Sequence, residues 1–93
     1  MPVSKTDIVV QSPDCLTADV NDEAVIMDIE SGQYISLDPV SKDIWGLIVQ
    51  PSSVDDLCAS LAAVYDAPMA DIETDVIVFI DFMLATKVVR LVN

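Results

Sequence analysis

The chain has 93 residues, 53% of them hydrophobic, and a formal net charge of −12 at pH 7. This charge argues against nucleic acid and anionic membranes as partners, because both are bound through Lys and Arg and the chain has only four of these. A neutral or basic peptide or protein is compatible with it. The length is that of one domain, so residues 1–93 are expected to form a single domain.

Neither a secretory signal nor a membrane span is visible in the sequence. The first ten residues lack the longer apolar stretch of a signal peptide, and the longest unbroken aliphatic and aromatic run covers only residues 76–80. The two cysteines, Cys15 and Cys58, form neither a disulfide framework nor a metal motif, which favours free thiols in a reducing cytosol. The expected location is therefore cytoplasmic.

The first part of the chain has the patterns of β-strands. A short apolar run at residues 8–10 predicts a first strand. Apolar residues then alternate with other residues over 16–20 and 25–29, as they do on a strand. A tight reversal containing Gly32 precedes a returning strand at residues 34–37.

The second part of the chain predicts three helices. Asp38 can cap the first, and Pro39 suits its first position, where a missing N–H has no partner to lose. Ser53 starts the second helix, and the third runs from about residue 69 to residue 86. A short apolar tail at residues 88–92 follows. Because strands and helices are segregated, the order predicts an α+β fold.

The third helix carries two apolar stripes. The broader stripe predicts a core face: Ile72, Val76, Phe79, Ile80, Met83 and Leu84. The narrower stripe consists of Val78, Phe82 and Ala85, flanked by Asp71, Asp75 and Asp81. The narrower stripe is either covered by the sheet or lines a groove for a ligand. Its carboxylate margins favour the groove, because charges are costly against a sheet interior.

The chain lacks the residue types on which most catalytic sites depend. The chain has no His and only two Gly, so acid–base chemistry on imidazole, His metal ligation and a Gly-rich phosphate loop are absent. Asp71, Glu73 and Asp75 lie in a helical pattern without the Gly of a calcium loop. No base can be named for a Cys58 nucleophile. These observations predict a protein that is not an enzyme and needs neither a metal nor a cofactor.

An ordered set of residues resembles the PqqD-like family, the leader-peptide recognition elements of ribosomally made, modified peptides. The set is Val25-Ile26-Met27-Asp28, Gly32-x-Tyr34-x-x-Leu37-Asp38, Ile44-Trp45, Leu61-x-x-x-Tyr65-Asp66 and Asp75-Val76-x-x-Phe79-Ile80. The segment over residues 25–38 is most similar to the stand-alone precursor-recognition proteins of lasso peptide clusters. The Pro-Glu element typical of the pyrroloquinoline quinone pathway's own member is missing, which leaves the peptide product open.

This resemblance implies a winged-helix-like fold, with a three-stranded antiparallel sheet followed by three α-helices. It implies that a leader peptide adds as an extra strand beside the third strand, over a groove formed with the third helix. Carried onto this chain, the peptide-binding residues are Tyr34, Ile35, Ser36 and Leu37 on the strand, and Asp75, Val78, Phe82 and Ala85 on the helix. The family alone does not fix which face of the helix is used, so Phe79 of the broader stripe is the alternative contributor. The implied partners are the leader segment of a precursor peptide and a separate leader protease or other tailoring enzyme.

Other functions stay open at this point. The edge strand and the helix stripe could pair with themselves in a regulatory or dimerisation module. A PqqD-like chaperone for a radical enzyme pathway is a further alternative, and so is a redox-sensing subunit acting through Cys58. Trp45 is expected to be a core anchor, whereas Tyr34 fits either hairpin packing or peptide binding.

Overall fold

The computed structural model describes residues 3–21 and 23–92. This part of the chain forms six strands and three helices. The strands are β1 (Ile8–Gln11), β2 (Cys15–Val20), β3 (Glu23–Asp28), β4 (Tyr34–Leu37), β5 (Ser52–Ser53) and β6 (Val89–Val92). The helices are α1 (Pro39–Leu47), α2 (Val54–Ala62) and α3 (Met69–Ala85).

Strands β2, β3 and β4 form an antiparallel meander with β3 in the centre. Gly32 turns the chain between β3 and β4 with φ of +71°, a conformation that glycine adopts without steric cost. The Asp28 carboxylate holds this turn, because it accepts hydrogen bonds from the Glu30 N–H and the Ser31 hydroxyl. The predicted α+β fold, with a three-stranded antiparallel sheet followed by three helices, is confirmed.

A second sheet, in the order β5-β1-β6, was not predicted. β1 does not join the meander; it pairs antiparallel with β6 from Ile8 opposite Val92 to Gln11 opposite Val89, and its other edge meets β5. The apolar tail expected after the third helix is therefore a strand. Its partner β1 lies at the opposite end of the sequence, so no local sequence pattern predicts the pairing.

Side-chain caps start the first two helices as predicted. The Asp38 carboxylate accepts the Ser41 N–H at 2.7 Å, and the Ser53 hydroxyl accepts the Asp56 N–H at 3.1 Å. α3 begins after Pro68 without a side-chain cap. None of the helices within residues 3–21 and 23–92 has the length and apolar character needed to cross a membrane.

Replacing Ser53 with alanine is expected to lower the free energy of unfolding by about 1 kcal/mol, because the N–H groups of the first turn of α2 lose their acceptor. Urea unfolding monitored by circular dichroism measures this change. Ser60→Ala is the matched control, since Ser60 is an exposed residue inside the same helix. Equal destabilisation by the two substitutions would contradict a capping role for Ser53.

The helices pack on the inner face of the meander around a cluster of buried side chains. Ile26, Ile44, Leu57, Ile80 and Met83 are among its largest fully buried members. Trp45 also lies in this core, with 3% of its surface exposed, and its indole N–H donates to the Thr17 hydroxyl at 2.8 Å. Trp45 is thus the expected core anchor, and it ties α1 to β2.

Candidate functional site

The narrower stripe of α3 is not covered by the sheet. Val78 is 63% exposed and Phe82 is 52% exposed, and Ala85 is also exposed. The broader stripe does face the core: Ile72, Val76, Ile80 and Met83 are buried, and Phe79 and Leu84 are half-buried against them. The structure therefore excludes the alternative in which the sheet covers the narrower stripe and leaves the stripe open to solvent.

Val78 and Phe82 line a groove of about 510 Å³ between α1 and α3, called here the α1–α3 groove. Its lining residues are Asp38, Val40, Ser41 and Ile44 from the start of α1, and Asp75, Val78, Phe79 and Phe82 from α3. Four of the predicted site residues thus come together. The wall contributed by α1 was not predicted, because Val40 and Ile44 also fit the apolar stripe of a helix packed wholly on the core.

Ala85, the last predicted residue of the stripe, lies outside this groove. It lines a separate hollow of about 420 Å³ between the end of α3 and the β3–β4 turn. The residues around this hollow are Asp28, Glu30, Ser31, Gln33, Ala85, Thr86 and Lys87. The hollow adjoins the residues just before β4 and the α1–α3 groove adjoins those just after it, so the two concavities mark the two ends of that strand.

β4 is an edge strand, because within the described residues it pairs with β3 alone. Ile35 and Leu37 point towards the core, whereas Tyr34 is 71% exposed and Ser36 is exposed on the opposite face. The Asp28 N–H donates to the Gln33 carbonyl at 3.0 Å.

Hydrogen-bonded pairs alternate along an antiparallel ladder, and the Asp28–Gln33 bond sets the phase of this one. Ile35 and Leu37 therefore direct their backbone N–H and C=O groups to β3. The corresponding groups of Tyr34 and Ser36 point away from the sheet. This free side of the strand, called here the β4 edge, presents alternate backbone donors and acceptors to an incoming strand.

The charged groups of the α1–α3 groove are both acidic. Asp38 and Asp75 contribute carboxylates, and no Lys or Arg is among the lining residues. Asp81, the third residue expected to flank the stripe, is not among the residues that line the groove, and its carboxylate accepts the Val3 N–H at 2.7 Å. This hydrogen bond ties the segment before β1 to α3.

The two thiols lack the features of a reactive site. Cys58 is 2% exposed, and this burial, together with the nearby carboxylates of Glu73 and Asp55, raises the pKa of its thiol. Burial is also the main cause that raises the pKa of Cys15. A raised pKa lowers the thiolate fraction at neutral pH, so neither thiol is activated for nucleophilic chemistry. No group of three or more potential metal ligands occurs among the described residues.

The fold and the site define a winged-helix-like α+β domain that presents an open strand edge beside an apolar groove. Residues 23–89 match the model of the family described as coenzyme PQQ synthesis protein D (PqqD). This match covers more than half of the chain, and the chain belongs to the PqqD family. No similar sequence is found among curated proteins.

Two solved structures are similar to this chain in fold. One is TbiB1 in complex with the TbiA(beta) leader peptide, with 22% sequence identity and a TM-score of 0.80 over 87% of this chain and 94% of that one. The other is a lasso peptide synthetase B1 complexed with the leader peptide, with 20% identity and a TM-score of 0.78 over 88% and 96% of the respective chains. At these identities the likeness establishes the shared fold.

Proposed function

We propose that this chain is a non-catalytic protein that captures the leader segment of a ribosomally made precursor peptide and delivers it to a separate leader protease or other tailoring enzyme, in lasso peptide biosynthesis. The observation that carries the proposal is the open β4 edge next to the α1–α3 groove. The family match and the two leader-peptide complexes of the same fold support it.

The proposed binding mode is strand addition. An extended leader segment pairs its backbone with the free N–H and C=O groups of Tyr34 and Ser36. Because side chains alternate along a strand, every second leader side chain then points to the side of Ile35 and Leu37, where the concavities next to α3 lie. Backbone pairing supplies affinity that does not depend on the leader sequence, and the groove selects the side chains and thereby the register.

The groove supplies the surplus of binding free energy. A disordered leader loses conformational entropy when it is ordered, so backbone pairing alone gives weak binding. Val40, Val78 and Phe82 offer apolar surface, and each Å² that a leader side chain covers contributes about 25 cal/mol. An aliphatic or aromatic leader residue is therefore the expected anchor.

The two carboxylates favour a positively charged leader residue next to that anchor. Asp38 and Asp75 line opposite walls of the groove, and the chain as a whole carries a net charge of −12. The field of the whole molecule steers a basic peptide towards it, and a nearby carboxylate pairs with its Lys or Arg. Delivery then follows from effective concentration, since the bound complex holds the precursor next to the enzyme that cuts or modifies it.

Titration of the protein with the leader segment of the precursor encoded in its gene cluster, followed by backbone amide NMR, tests this proposal. The expected result is saturable binding at micromolar affinity or tighter, with shifts concentrated at Tyr34, Ser36 and the residues of the α1–α3 groove. Binding that shifts only residues outside β4 and α3 would overturn the proposed site. Absence of binding would overturn the function.

Asp75→Asn is expected to weaken leader binding by roughly threefold to tenfold at low ionic strength and to flatten its salt dependence, because the groove loses one of its two carboxylates. Isothermal titration at two salt concentrations measures both effects. Asp14→Asn is the matched control, since it removes the same charge from an exposed position in the turn between β1 and β2, outside the groove. Equal losses for both variants would assign the effect to net charge.

A further inference from the structure

The outward face of the meander, called here the outer face, is apolar although it lies in solvent. Cross-strand register places Leu16, Met27 and Tyr34 side by side in one row. Ala18, Val25 and Ser36 form the adjacent row. Leu16 is 52% exposed and Tyr34 is 71% exposed. A half-solvated antiparallel sheet normally turns its polar residues outward, so an outer face with this many apolar residues departs from the usual arrangement.

The polar residues of β2, Thr17 and Asp19, lie on the helix side of the meander and stay exposed at its edge. Thr17 accepts the indole N–H of Trp45, and it lies on the same side as the buried Ile26 and the half-buried Ile35 opposite it. The alternation that predicts a strand over residues 16–20 therefore directs its apolar side away from the core. A contiguous exposed apolar patch of this kind marks an interaction surface.

The two rows of the outer face are complementary in size. On each of the three strands, a residue of the first row neighbours a smaller residue of the second, called here the small row: Leu16 and Ala18 on β2, Met27 and Val25 on β3, Tyr34 and Ser36 on β4. A two-fold axis that lies between the rows and perpendicular to the strands brings the large row of one copy onto the small row of another. Self-complementarity of this kind is what a two-fold contact requires.

Charge on the outer face permits such a contact. Glu23, at the end of the face opposite Val20, is its only charged residue in these strands, whereas the chain as a whole has 16 Asp and Glu. Dissolved salt screens the repulsion between the acidic surfaces of two copies, with a Debye length of about 8 Å at physiological ionic strength. The acidic surface therefore weakens self-association without preventing it, and added salt relieves the repulsion.

We propose that the outer face is the contact surface of a reversible homodimer, in which Leu16, Met27 and Tyr34 of each copy pack onto the small row of its partner. A second copy is the occupant that the paired large and small rows favour. Because the contact uses the face of the sheet, both β4 edges stay open in the dimer. The proposal goes beyond the proposed function and does not depend on it.

Sedimentation equilibrium of the full chain from micromolar to millimolar concentration tests the proposal. The expected result is a monomer–dimer equilibrium that tightens with added salt, in contrast to a contact with a basic partner, which salt weakens. A monomer at every concentration would overturn the proposal and leave the outer face to a different protein.

Two variants and one control locate the contact. Leu16→Glu is expected to raise the dimer dissociation constant at least about tenfold, because it places two carboxylates in the apolar contact. Ala18→Leu adds apolar surface but fills the small row, so it is expected to weaken the dimer as well. Val49→Glu changes the charge equally at an exposed position outside the meander and is expected to have little effect. A tighter dimer with Ala18→Leu would overturn the packing of large on small.

Addition of the leader peptide separates this dimer from one that pairs through the β4 edge. The face-to-face dimer is expected to persist and to bind two leader peptides. Dissociation by the leader would show pairing through the edge and overturn the proposal. If no leader binds, the proposed function fails. The sedimentation results on the variants still show whether the outer face forms a dimer.

Discussion

Replacing Phe82 with glutamate is expected to weaken leader binding by at least about thirtyfold while the domain stays folded. Phe82 is half exposed in the α1–α3 groove, so the substitution removes an apolar contact without opening a cavity in the core. The new carboxylate also adds to the negative charge of Asp38 and Asp75 in the groove. Fluorescence anisotropy with a labelled leader segment measures the affinity, and thermal unfolding reports the fold.

The control for this substitution is Val49→Glu, at a position that is 64% exposed and not part of the groove. It should leave both affinity and thermal stability close to those of the unaltered chain. Unchanged leader affinity of Phe82→Glu would show that the groove does not hold the leader. A loss of affinity together with unfolding would assign Phe82 to the core, against its exposure.

Trp45→Ala is expected to lower the free energy of unfolding by about 3–5 kcal/mol. Trp45 is 97% buried, and the substitution leaves a large cavity between α1 and the meander and removes the hydrogen bond to Thr17. Domains of this size are stable by only about 5–15 kcal/mol, so a loss of this size removes much of the total. Urea unfolding monitored by circular dichroism measures the change.

Two milder substitutions separate packing from hydrogen bonding. Trp45→Phe keeps most of the ring but loses the donor, and Thr17→Val keeps the shape of the acceptor residue but loses the hydroxyl. Each is expected to cost about 1–2 kcal/mol, and the double variant less than the sum, because both remove the same bond. Strict additivity would mean that the bond contributes nothing. Leader affinity of the folded variants should be unchanged, since Trp45 does not line the α1–α3 groove.

Elements with local signals could be predicted from the sequence. The strand over Tyr34–Leu37 has the predicted bounds, because a glycine turn precedes it and a capped helix with Pro39 follows it directly. The starts of α2 and α3 are likewise predicted. The sequence indicates only an apolar tail where β6 forms and gives no signal for the two-residue strand β5, because both strands are defined by pairing with β1 rather than by their own residues.

The candidate site could be predicted only in part. The period of α3 separates Val78 and Phe82 from the core stripe, but periodicity within one helix does not reveal the second wall. Val40 and Ile44 on that wall belong to α1, and its placement beside α3 depends on tertiary packing. The same limit applies to Asp81, whose position on the helical wheel does not disclose that Val3 occupies its carboxylate.

The pairing of β1 with β6 has a consequence for folding during synthesis. β2, β3, β4 and α1 follow one another closely, so the meander and its first helix can form while the rest of the chain is still in the ribosome. β1 is synthesised before them, yet it cannot pair with β6 until α3 and β6 have been synthesised. Until then β1 exposes an unpaired edge with Val9, which is fully buried at the end. We therefore expect the nascent chain to be most prone to aggregation in the interval between synthesis of the first strand and release of the last.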